Sequence, residues 1–124
     1  MPRTTLTKKV ALGTLSTPYA TPDAADLTMT AADISNLNQF LANDNDLIIV
    51  HNTGASPYTV TVTSAPDPIF GRTKDIATYS FAAGEYGVIG PLKQAGWMQS
   101  DGYVYLQASN ASVKFGVVQL GAQP

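Results

Sequence analysis

The chain has no cysteine and only one histidine. Without thiols there can be no disulfide, no thiolate nucleophile and no zinc–thiolate site. The single His51 is not accompanied by a Gly-x-Ser-x-Gly elbow, so no nucleophilic triad can be read from the pattern. Charge is scarce as well. Asp, Glu, Lys and Arg make up 13% of the residues and the net charge is −2. The only basic grouping is Lys8-Lys9 with Arg3 nearby, which reads as a solvated arm. A nucleic-acid groove needs clustered cations to replace counterions, so no nucleic-acid partner is expected. No apolar run approaches the roughly twenty residues that span a bilayer, and no membrane partner is expected. The first residues also lack an apolar core ahead of a small-residue cleavage site, so no signal peptide is read.

What is present suits a packed domain. A chain of 124 residues, 44% of them hydrophobic, is enough for one core. Ser and Thr fill the polar positions that charges usually take. Such a surface favours life against other proteins, because fewer charges need desolvating on contact.

The strongest pattern lies at residues 43–63. Leu47-Ile48-Ile49-Val50 is an apolar β-branched run, and Tyr58-Thr59-Val60-Thr61-Val62-Thr63 alternates with period two. Between them Gly54 and Pro57 mark a turn, and the pattern predicts an antiparallel hairpin. Further strands are predicted at 75–81 and 85–90, around the turn Ala82-Ala83-Gly84. A second hairpin is predicted from 103–109 and 113–120, around Asn110-Ala111-Ser112. Gly87 inside a strand suggests a bulge or a close backbone approach. Two prolines and Gly71 make residues 64–74 a long loop.

Elsewhere the periodicity changes. Ile34, Leu37, Phe40 and Leu41 recur at three- and four-residue spacing, which predicts a short helix near 31–42, with Thr30 and Asp33 as its capping box. Residues 1–26 are poor in large side chains, and Pro18 and Pro22 block a helix there, so an extended N-terminal arm is expected. The expected fold is all-β: an antiparallel β-sandwich, or small barrel, of six to eight strands. Residues 27–124 form its single domain, short helix included.

Candidate sites are few. A lone strand histidine such as His51 is most often a structural hydrogen-bonding residue. Asn43-Asp44-Asn45-Asp46 offers the oxygens calcium prefers, but it lacks the glycine and later glutamate of an EF-hand and reads as a turn. No cofactor is expected. Tyr103, Tyr105 and Trp97 could form a sugar-stacking platform, but such aromatics more often make the rim of a core or an interface, and Trp97 in its loop reads as a core plug before a ligand anchor.

The segments Tyr19-Ala20, Phe40-Leu41-Ala42-Asn43-Asp44, Leu47 to Ser56 and Thr59-Val60-Thr61-Val62 resemble small tailed-bacteriophage virion proteins. Gly84-Glu85-Tyr86-Gly87-Val88-Ile89-Gly90-Pro91 and Gln99 to Leu106 continue the likeness. The resemblance is to β-sandwich head decoration, or capsid cement, proteins. It implies a structural, non-enzymatic protein on the capsid surface of a virion, made in the host cytoplasm, bridging subunits of the major capsid protein. It also implies a homo-oligomer, trimer or dimer. The arm residues Thr4, Thr5, Leu6, Val10, Leu12, Leu15 and Tyr19 are then the expected contacts to capsid or neighbouring subunits. The alternatives are another phage component (head completion, tail or fibre) and a carbohydrate-binding sandwich.

Overall fold

A computed structural model describes residues 2–11, 26–67 and 69–120. The chain is a two-layer all-β sandwich. Sheet A has the strand order β1 (Thr4–Thr5), β4 (Asn38–Leu41), β9 (Tyr103–Ala108), β6 (Tyr58–Thr63) and β7 (Ile76–Phe81). Sheet B has the order β2 (Lys8–Ala11), β10 (Val113–Leu120), β5 (Asp46–Asn52) and β8 (Tyr86–Leu92). The two-residue strand β3 (Thr30–Ala31) pairs with β10 as well, so β2 and β3 share one edge of that strand.

Alternation builds the core. Ile48 and Val50 on β5, Val113, Phe115 and Val117 on β10, and Val60, Val62, Val104, Leu106 and Phe40 from sheet A are all at most 1% exposed. Each is followed by a residue on the opposite face, as an extended chain requires.

The paired runs are not hairpins. β5 and β6 lie in opposite sheets, and so do β7 and β8, and β9 and β10. Each predicted hairpin is instead an arch that carries the chain across the core. The same alternation serves both arrangements, because in an arch the two apolar faces meet across the core, about 10 Å apart, instead of lying side by side. The tertiary pairing decides: β5 finds β10 and β8, while β6 finds β9 and β7. Consecutive β6 and β7 do pair, through the long 64–75 loop.

The helix expected near 31–42 is a strand, a turn and a strand. Asp33 Oδ1 accepts the backbone N–H of Ser35 and Asn36, which closes a turn where a helix would have continued. Leu37 then has φ 65°, and Phe40 enters the core while Ile34 and Leu41 stay 45% and 58% exposed. The supposed apolar stripe therefore never shares one face. Among the described residues the one short helical element, α1 (Gln94–Trp97), is a single turn with Gly96 at φ 97°.

The N-terminal segment is also built in. β1 pairs in parallel with β4, and β2 in parallel with β10, so the sheets are mixed where only antiparallel pairing was expected. Residues 2–11 cross from one sheet to the other, and Leu6 between the two strands is 5% exposed.

Candidate interaction surface

The expected arm contacts do not gather into one site. Thr4 and Thr5 sit exposed on the edge of sheet A, where Thr4 bonds Asp33 and Thr5 accepts from Gln39. Val10, 46% exposed, lies on the edge of sheet B. Leu6 is core, which removes it as a contact residue: its apolar side chain gains more from burial between the sheets than a surface strand could offer. Leu12, Leu15 and Tyr19 lie outside the described residues.

The other singled-out groups have structural partners. His51 stacks on Tyr86 with ring centroids 3.7 Å apart. Asp46 is fully buried; one oxygen holds Lys8 Nζ at 2.8 Å and the other accepts the Asn43 backbone N–H. Asp44 accepts from the Gln94 backbone N–H. Residues 43–46 thus form a turn that seats the N-terminal strand. Among the described residues no group of three or more His, Cys, Asp or Glu could hold a metal.

The aromatic platform is not assembled. The Arg3 guanidinium lies 4.1 Å from the Tyr105 ring centroid and covers that face. The Tyr105 hydroxyl bonds Asp101, which raises the phenol's pKa, and burial lowers that of Arg3. Trp97 stands apart, on a cleft of about 380 Å³ of mixed lining shared with Asp67, Arg72, Lys74 and Ser64.

The two outer faces of the sandwich differ in chemistry. Directly opposed strand residues share a face, so register assigns Thr61, Gln107, Thr63, Tyr105 and Gln39 to the outside of sheet A. That face is polar. Outside sheet B, the same rule aligns Val88 with Ile49 and Gly116, Leu47 with Val118 and Lys9, and Tyr86 with His51 and Lys114, so an apolar centre is flanked by two lysines. Leu27 and Met29 extend this apolar face by lying over Gly116, where an added Cβ would come within 2.6 Å of Met29 Sδ.

The apolar face reaches an open edge. β7 and β8 end their sheets on the same side of the sandwich, and a cleft of about 370 Å³ opens between them. Its walls include Ile76, Tyr79, Phe81 and Ile89, with Gly87 making room for the Phe81 ring. Tyr79, Tyr86 and Val88 are 58%, 69% and 64% exposed there. This edge was not singled out in the sequence. Its signal was the absence of charge: neither Ile76–Phe81 nor Tyr86–Leu92 contains a charged residue. No family model, curated protein or solved structure matches the chain.

Proposed function

We propose that the protein is a structural virion component that binds the outside of a phage capsid and stabilises it by bridging major capsid protein subunits. The observation that carries this reading is the apolar outer face of sheet B. A sandwich that stands alone usually alternates apolar-in with polar-out, as sheet A does. Sheet B instead turns Leu47, Ile49, Val88 and Val118 outward between Lys9 and Lys114, with Val88 exposed and the other three half-buried, next to the β8 edge, which pairs with no further strand among the described residues. A contiguous apolar face beside an open edge is the chemistry of a docking surface. The resemblance to capsid cement proteins, which includes residues 84–91 of this edge, gives the partner its class.

The test is co-sedimentation with expanded, undecorated capsids. Wild-type protein is expected to pellet with them, and Ile49→Lys is expected to lower occupancy at least about tenfold, since a charge at the centre of the face must be desolvated. No pelleting by the wild type, or unchanged pelleting by a folded Ile49→Lys variant, overturns the reading. Binding on a glycan array that is lost in Trp97→Ala would move the assignment to the Trp97 cleft and the carbohydrate-binding alternative.

A further inference from the structure

We propose that two copies of the chain pair antiparallel through β8, about a two-fold axis at Gly87, to make one continuous sheet.

The register leaves the right groups free. The Asn52 backbone N–H donates to the Glu85 carbonyl at 2.9 Å. Opposed pairs alternate between bonded and non-bonded along an antiparallel ladder, so Gly87 with Val50 and Ile89 with Ile48 are the bonded pairs. Tyr86 and Val88 face β5 at non-bonded positions and turn their N–H and C=O groups to the open edge.

A two-fold axis perpendicular to the sheet keeps each residue on its own face in both copies. Paired residues must then have numbers of the same parity, and the free groups must belong to bonded pairs. Of the arrangements that meet both conditions, only the one centred on Gly87 pairs the free residues of one copy wholly with those of the other: Tyr86 opposite the partner's Val88, and Gly87 opposite the partner's Gly87. It makes four main-chain hydrogen bonds. The glycines meet as a non-bonded pair, at which Cα atoms approach to about 4.5 Å. Gly87 is fixed by packing inside its own chain, since an added Cβ would lie 2.0 Å from Phe81 Cε1.

Charge favours a second copy over another occupant. Edge strands commonly carry Lys or other charges that repel pairing, and Tyr86–Leu92 has none. An uncharged strand is matched by an uncharged strand, and a two-fold interface supplies it automatically. Glu85, the nearest charge, would face the partner's Ile89, so no like charges oppose each other. The bulge at β8, where Asp46 and Ile48 pair with Leu92 and Ile89, limits pairing to the stretch before Gly90-Pro91. Exposed Tyr86 and Val88 rings and methyls then line up in cross-strand pairs, and the partner closes over the cleft beside Tyr79.

The test is the solution mass of the full chain by size-exclusion chromatography with light scattering, without capsids, so its outcome does not depend on the function proposed above. The wild type is expected at twice the chain mass. Val88→Pro removes an N–H that β5 does not use, and therefore two of the four intermolecular bonds; Val88→Lys puts like charge on the edge. Each is expected to weaken dimerisation at least about a hundredfold with the far-ultraviolet circular dichroism of the wild type. If Val88→Pro fails to fold, the Lys variant decides. A wild type at the mass of one chain, or a dimer that survives the Lys substitution, overturns the proposal.

Discussion

Asn52 holds the sandwich together at one end, and nothing in the chain marks it beyond its place before a turn. Fully buried on β5, it donates through Nδ2 to the carbonyls of Ser56 and Phe81, and its Oδ1 accepts the Gly54 backbone N–H. Phe81 belongs to the opposite sheet, so one amide joins the two layers where two arches begin. Truncation would leave several buried main-chain groups unpaired, each costing about 1–3 kcal/mol. Asn52→Ala is therefore expected to lose about 3 kcal/mol of stability in urea unfolding, with a smaller loss for Asn110→Ala, whose half-buried side chain accepts only the Ser112 backbone N–H. Among the described residues Asn38 Nδ2 is the single buried side-chain N or O atom without a hydrogen-bond partner.

Among the elements, strands were legible and their partners were not. The alternation at 58–63 placed Val60 and Val62 on one face, and both are buried; 113–120 was legible as a strand, and the structure shows that Val113, Phe115 and Val117 are its inward residues. Whether two alternating runs pair or face each other depends on contacts distant in sequence, such as β5 with β10, and no local signal encodes that. The helix error at 31–42 has a different origin. Three- and four-residue spacing arose from turn residues, Ile34 and Leu37, followed by strand residues, Phe40 and Leu41, and Asp33, assigned to a capping box, uses its carboxylate to close that turn. Loops depend on similar carboxylates. Asp75 accepts the backbone N–H and hydroxyl of Ser64, which pins both ends of the 64–75 loop and lowers its pKa. Because the folded pKa lies below the unfolded value near 4, this contribution is complete above that value and is lost as pH falls through the folded one. Stability of Asp75→Asn is expected to fall less steeply than the wild type's below about pH 4 in acid titrations followed by circular dichroism.

For the molecule as a whole, the candidate surface was nearly invisible because it is made of ordinary strand residues. Leu47, Ile49, Val88 and Val118 come from three strands, and only the register aligns them. The N-terminal residues were visible as a distinct segment, yet their docking rests on a long-range ion pair. Lys8, with 13% of its side chain exposed, reaches the fully buried Asp46 and lies 5.5 Å from the Phe40 ring. Lys8→Met leaves that carboxylate without its cation, and a loss of about 3–5 kcal/mol is expected in urea unfolding. Adding Asp46→Leu should recover part of it, since an apolar pair removes the stranded charge.

The parallel pairing of β2 with β10 also has a mechanical consequence. Lys8 to Ala11 run beside Val117 to Leu120 in the same direction. Tension applied between the two ends of the chain would pull these strands past each other lengthwise. Load would then fall on the whole ladder at once instead of opening it one bond at a time. Such a shear-loaded clamp would let the domain carry force through β2 and β10 while its core stays closed.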